Sequence, residues 1–456
     1  MSTPKGRLSP TAILTMVSAA VFLTVANTSA SAVSQPAIAE AFDAGPADVG
    51  WVVFGYSGAF AVATALYGRL AARFGLGRTL AFGILVLAFG SFIAVVAPTL
   101  PVVIAARIIQ GTGSGAIPTL SVAILATRFS PERRRFAYGI VTAVVGIAQA
   151  LGPMIGGLLV DLVSWRAAVA IGMLISPVAA FVWYDQPQRG DPANRLDYAG
   201  AGFVLLMIGG FVFTMNRLPV EGAGFLTGGA IVAAVLGAAF SARRAKQHPA
   251  PFIPLPVVLN RGYLPLVAAG FVGSASYLGT VVGLPSALAR VHVIDAIGIG
   301  LVLVPAAASV AVASTVNGIV VRRFGHGGTT VVSLLFLFVG TGLFAVLGID
   351  RSLASVAVIG IPLGLGFGLL TPPLVDAVTE RFEGPNQSIA IGIFYLGFFL
   401  GGSTGGAVTT GIIQRDLSVP LVGSGLPVAE AALCALALAG AAIMVRASRN
   451  READRV

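Results

Sequence analysis

Few side chains in this sequence could make or break a bond. It has one cysteine, Cys434, and three histidines, His248, His292 and His326, which lie far apart and near the ends of apolar runs. None has the spacing that gathers metal ligands on a helix. Nor do Ser, Cys, His and acidic residues cluster as a nucleophile and its base. A protein that is not an enzyme, with no cofactor and no metal, is expected. What the chain does carry is a sparse set of polar and aromatic residues inside apolar runs: Asn27, Gln35, Gln149, Tyr277, Asn317, Phe394 and Tyr395, together with Arg107 and Gln110 one helical turn apart. Amides exchange hydrogen bonds, rings stack on flat apolar surfaces, and a guanidinium polarises its surroundings. This is recognition chemistry, and it predicts a chamber for a small molecule. For any one of these residues, bonding or packing between helices is an equally good account.

The elements that must position them are membrane helices. Of 456 residues, 56% are hydrophobic and 10% charged, with mean hydropathy +0.93; a soluble domain carries about 25% charged residues. Fourteen apolar runs are long enough to cross a bilayer: 11–34, 49–68, 79–98, 101–124, 136–160, 166–184, 197–216, 224–242, 263–289, 296–321, 328–348, 353–374, 387–413 and 426–446. The first has no cleavage site after it and reads as a retained helix. An all-α membrane protein is expected.

Charge sets the orientation. With the N-terminus in the cytoplasm, 22 of the 28 basic residues fall in cytoplasmic segments. Arg166, Arg217, Arg290, Arg351 and Arg415 fall outside, and Arg107 alone lies within a span. This bias predicts that both termini are cytoplasmic. The net charge of +10 is thereby assigned to loops that face anionic lipid, and no nucleic-acid partner is expected. The segment "GRLAARFG" (Gly68 to Gly75) after span 2 returns loosely as "GIVVRRFG" (Gly318 to Gly325) after span 10. Two six-span halves are expected, with spans 7 and 8 as an inserted hairpin. The expected divisions are an N-terminal segment 1–10, a first bundle 11–184, a linker 185–196, the hairpin and a second linker 197–261, a second bundle 262–446 and a basic tail 447–456.

Three segments carry a family likeness. "GRLAARFGLGR" has Gly68, Arg73, Gly75 and Arg78 in the places of a known loop pattern, echoed by Gly318, Arg323 and Gly325. "ARIIQGTGSGA" places Arg107, Gln110 and Gly111 in span 4, and "GIAQALGPMIGG" places Gly146, Gly152, Pro153, Gly156 and Gly157 in span 5. On these the chain resembles the fourteen-span drug:proton antiporters of the major facilitator superfamily, and among them the bacterial tetracycline and multidrug efflux proteins. The resemblance implies the major facilitator fold and a monomeric secondary transporter in the bacterial cell membrane. It implies export of a drug-like or natural-product molecule by alternating access, with proton antiport as the coupling. The first motif would latch the two halves, Arg107 would serve coupling or polarise the cavity, and the third would act as a hinge. Arg107 has a second reading, in which it snorkels to the headgroups near the start of span 4.

The chain departs from the family in its acids. The family aspartate of the first motif is Ala72, and the usual membrane carboxylates fall near Asn27 or Thr28, at Gln149 and near Gly402. The spans are expected to hold no acid, leaving Asp161 or Asp376 at span ends, or an acid drawn inward by folding, as candidates. Coupling therefore stays open between proton antiport and a gradient-independent facilitator, and a non-transporting scaffold or sensor is the further alternative. A cavity without carboxylates suits a neutral or anionic cargo better than a cation.

Overall fold

The computed structural model describes residues 8–44, 46–184, 190, 197–221, 224–249, 251–292, 296–349, 352–383, 385–414, 418–419 and 423–453. The linker 185–196, Gly190 excepted, lies outside the described residues, as do Arg351, Arg415, Asp295, Asp350 and Asp416 and the extreme ends of the N-terminal segment and the tail.

The first half comprises α1 (Pro10–Val33), the short α2 (Gln35–Ala41), α3 (Pro46–Phe74), α4 (Leu76–Val96), α5 (Leu100–Ser114), α6 (Ala116–Arg128), α7 (Pro131–Leu162), α8 (Trp165–Ala170) and, after a 3-10 turn at Ile171–Ile175, α9 (Ser176–Tyr184). The fourth span is thus α5 and α6 end to end, and the sixth is α8, the 3-10 turn and α9. The inserted pair is α10 (Tyr198–Glu221) and α11 (Phe225–Gln247), followed by the single turn α12 (Leu255–Val258). The second half is α13 (Leu264–His292), α14 (Ala296–Leu347), α15 (Leu353–Arg381), α16 (Pro385–Gln414) and α17 (Leu426–Ala453).

Thirteen helices among the described residues are long and apolar enough to span a membrane, one fewer than the fourteen expected. The difference is α14. Its 52 residues would extend about 78 Å as one rod, against a hydrocarbon core of about 30 Å. Its backbone breaks at Gly325, where φ is 68° and ψ 174°, so α14 is two spans joined at a glycine. Gly75, between α3 and α4, has φ 90° and ψ 153°. The two glycines that close the repeated segment therefore make the same left-handed turn at the same place in each half. The all-α expectation needs one small amendment: Ser418–Val419 and Gly423–Ser424 pair as a two-residue antiparallel ribbon before α17.

The halves meet along two seams, α3 against α16 and α7 against α14. At the first, a Cβ on Gly68 would stand 2.6 Å from the Ser388 carbonyl oxygen, so only glycine lets the helices meet there. This seam closes at the end of the bundle where α1 begins, the basic end. The inserted α10 leans on both α3 and α16, while α11 packs on α10 and shows Phe225, Val232, Val235 and Phe240 outward. Apolar side chains facing outward are what lipid requires.

Candidate functional site

Arg107 is completely buried, which rules out the snorkelling reading. It stands two turns inside α5, with its Nε donating to the Val52 carbonyl of α3 at 3.0 Å and its Nη1 donating to Gln110 Oε1. Residues three apart share a helix face, so Arg107 and Gln110 act together. Gln110 Nε2 donates to Ser91 Oγ of α4 at 2.8 Å and to the Val169 carbonyl of α8 at 3.0 Å. The guanidinium carbon lies 4.3 Å from the centre of the Tyr56 ring, a cation–π contact. A Cβ on Gly111 would fall 2.2 Å from the Tyr56 carbonyl, so the third motif position is what lets α5 approach α3. Arg107 forms no ion pair among the described residues, and its Nη2 is buried without a hydrogen-bond partner. A buried charge left this way is costly, and an incoming acceptor would relieve it.

From Arg107 a run of rings crosses the seam. Tyr56 stacks on Phe60 at 5.9 Å, and Phe60 meets Phe399 of α16 edge-on at 4.4 Å. Phe399 stacks on Tyr395 at 5.8 Å and touches Phe398 at 5.4 Å. Phe398 leads to Phe394 at 6.2 Å and to Phe367 at 6.0 Å, and Phe367 stacks on Tyr277 of α13 at 4.0 Å. Three of the residues expected to bind, Tyr277, Phe394 and Tyr395, thus fall in one cluster. Tyr56, Phe60, Phe367, Phe398 and Phe399 belong to it too and were missed. The signal was present: residues 394, 395, 398 and 399 share one helical face.

The other expected residues are elsewhere. Asn317 donates to the carbonyls of Leu369 at 3.1 Å and Gly368 at 3.5 Å, pinning α14 to α15. Asn27 is fully buried in α1 with neither amide atom partnered, and Gln149 Oε1 in α7 is also buried and unpartnered. Gln35 is half-buried in α2. The span 5 string lies between both halves. A Cβ on Gly152 or Gly156 would stand 2.5 Å from Ser29 or Ala30 of α1, and one on Gly146 would stand 2.8 Å from Val310 of α14. Pro153 lies within the continuous α7, where it removes one backbone donor. Gly157 sits in the same stretch of α7, and Gly318 in α14 faces open space.

At the basic end the first motif holds the linker that follows the hairpin. Arg69 donates through Nε to the Phe252 carbonyl at 2.8 Å and through Nη2 to the Pro251 carbonyl. Close by, Asp197 receives the N–H of Gly200 at 2.9 Å, Arg244 Nε at 2.7 Å and the N–H of Phe252 at 3.3 Å. Burial alone would push the Asp197 carboxyl up, but these donors outweigh it and hold it below the ordinary carboxylate range. Arg78 lies 6.0 Å from the Trp183 ring, Arg73 5.6 Å from Phe74, and Arg323, its counterpart in the repeat, 5.7 Å from Phe324. With Ala72 in the acid's place, the ion pairs that join the halves are carried by other residues. Asp376 of α15, wholly buried, receives Arg134 Nη2 at 2.9 Å and Arg135 Nε at 2.6 Å from α7, and His326 Nε2 of α14 lies 3.0 Å away. Asp161 is exposed.

The expectation that no acid lies in a span is overturned. Glu430, one turn into α17, is fully buried. It falls inside the last apolar run, whose overall apolarity hides a single acid.

Residues 17–406 match the family model of the Major Facilitator Superfamily, and the chain belongs to that family. It is 29% identical over 415 residues to the tetracenomycin C resistance and export protein of Streptomyces glaucescens, covering 89% of this chain and 76% of the relative. It is 26% identical over 430 residues to the drug efflux pump JefA of Mycobacterium tuberculosis, covering 92% and 82%. It is also similar to multidrug resistance protein 3 of Bacillus subtilis, at 25% identity, covering 81% and 73%. In fold it is similar to the human organic anion transporter MFSD10, with a TM-score of 0.68 and 14% identity, over 96% of this chain and all of that one. The fourteen-span helical reading and the family likeness drawn from the motifs both stand.

Proposed function

We propose that this protein exports a flat, amphipathic molecule bearing an acceptor or anionic group, by alternating access driven by proton antiport. It sits in the cell membrane as a monomer with both termini in the cytoplasm. The observation that carries this reading is the run of rings from Tyr277 across the seam to Tyr56, ending under the guanidinium of Arg107. Rings offer stacking surface to a planar cargo, and the unpartnered Arg107 Nη2 offers a donor to a carbonyl or oxyanion on it. Because the run draws rings from both halves, movement of one half against the other would build it and take it apart. The exporters among its relatives support the direction of transport and the cargo class.

Reconstituted in vesicles with an imposed pH gradient, the protein should move tetracenomycin C, an export substrate named for one relative. Arg107→Ala should reduce the flux by about tenfold or more at unchanged membrane abundance. Undiminished flux in that variant would remove Arg107 from the cargo site. If no planar aromatic probe moves in the unaltered protein, the exporter reading fails.

A further inference from the structure

We propose that Glu430 and Thr280 form a proton-binding site inside the second half. As the seat of the coupling proton it rests on the exporter reading; as a proton site it stands alone. The argument counts protons at one hydroxyl. Thr280 Oγ1, on α13, lies 3.1 Å from the Ser276 carbonyl oxygen and 2.8 Å from Glu430 Oε2. A hydroxyl has one proton to give. A carbonyl only accepts, so when Thr280 donates to Ser276 the short contact to Glu430 is made by a proton on the carboxyl. When the carboxyl is ionised, Thr280 must turn and donate to it, leaving Ser276. The two protonation states thus set one side chain in two ways: bonded both within α13 and across to α17 when the carboxyl is protonated, and only across to α17 when it is ionised.

The surroundings hold no other partner for the charge. Glu430 is fully buried, and its Oε1 has no hydrogen-bond partner. The groups that α17 and its neighbours bring near are Cys434 on the same helix and Ser276 on α13, which reaches the Leu433 carbonyl of α17. Cys434 Sγ in turn donates to the Phe338 backbone carbonyl of α14 at 3.4 Å. His292, further along α13, is bonded to the Ile349 carbonyl at 2.6 Å. Among the described residues no lysine, arginine or histidine pairs with Glu430. A carboxylate without cation or full hydrogen bonding does not persist in such a place, and a proton is the partner that fits.

The site also connects to the cargo site. Tyr277, the last ring of the aromatic run, precedes Thr280 by three residues on α13 and lies on the same face. A change in how Thr280 bonds α13 to α17 acts one turn from the ring that would touch cargo.

Infrared difference spectra of the reconstituted protein, recorded on stepping between acid and alkaline buffer, test this directly. The carbonyl band of a protonated carboxylic acid should appear in the unaltered protein, vanish in Glu430→Gln, and shift in Thr280→Val. An unchanged band in Glu430→Gln, or no band in the unaltered protein, overturns the proposal. In vesicles, Glu430→Gln should lose pH-driven tetracenomycin C flux by about tenfold or more, yet keep exchange of the compound without a gradient. Full pH-driven flux in that variant overturns the coupling role, and so does flux that requires sodium when choline replaces it. If no probe moves in the unaltered protein but the band is lost in Glu430→Gln, the proton site is upheld and the exporter reading is the one that fails.

Discussion

Asp376 of α15 accepts from Arg134 and Arg135 of α7 at once, at 2.9 Å and 2.6 Å, so a single buried carboxylate clasps two arginines of the opposite half. Glu380, one turn further on, adds a second acid 3.3 Å from Arg135 Nη2. Removing one partner of a buried pair leaves the other charges stranded. Asp376→Asn should therefore destabilise the folded protein by about 3 kcal/mol, read as a lowered unfolding temperature in detergent. In a Cys434→Ser background, a cysteine at Ser388→Cys on the nearby seam should label faster with a membrane-impermeant maleimide once Asp376 is neutral. Unchanged labelling would mean that the clasp does not keep the basic end shut.

The paired turns give a second expectation. Gly75→Ala and Gly325→Ala each force a side chain into the left-handed region, at φ 90° and 68°. Each should cost about 1 kcal/mol, measured by thermal unfolding, and the two costs should add because the sites lie in different halves. At Gly325 a Cβ would meet open space, so there the loss isolates backbone strain.

A third concerns the contact of rings across the seam. Phe60 and Phe399, edge-on at 4.4 Å, should show a coupling of about 1 kcal/mol in a double-mutant cycle with alanine. Under the exporter reading proposed above, the single variants should weaken binding of the tetracenomycin C probe more than they lower stability. Independent, additive effects would show that the seam does not close through this pair.

The fourth expectation is a pH dependence at the root of the hairpin. Asp197 has a carboxyl held below its usual range in the folded state, so its contribution is whole at neutral pH. It is lost as acid protonates the group through its folded value. Asp197→Asn should thus lower the unfolding temperature at pH 7, by an amount corresponding to about 1–2 kcal/mol. The gap between variant and parent should narrow in strong acid. A gap that stays constant with pH would mean that the carboxylate charge does not anchor the hairpin.

Much of the architecture is legible in the sequence because lipid leaves the backbone few options. An apolar run of about 20 residues must be a helix, and the closing glycines of a repeated octapeptide mark where such helices turn. That Arg107 lies within a span can be read the same way, but its full burial, against the snorkelling alternative, shows only in the fold. Its partners cannot be read along the chain either, since Val52, Ser91 and Val169 reach it, directly or through Gln110, from three other helices. The same holds for Asp376, an evident acid near a span end whose arginines lie about 240 residues earlier in the chain. Glu430 escaped for a different reason. A window that averages hydropathy over a span absorbs one acid among many leucines and alanines, and only the fold shows that this acid points inward.

The inserted pair is more than a longer string between two bundles. Since α10 rests on α3 and α16 together, displacement of either half must carry that pair along or slide beneath it. With α11 bathed in lipid on its outer side, each such displacement pushes acyl chains aside. Under the alternating access proposed above, turnover is tied to the viscosity of the membrane, and a stiffer bilayer should act as a brake on it.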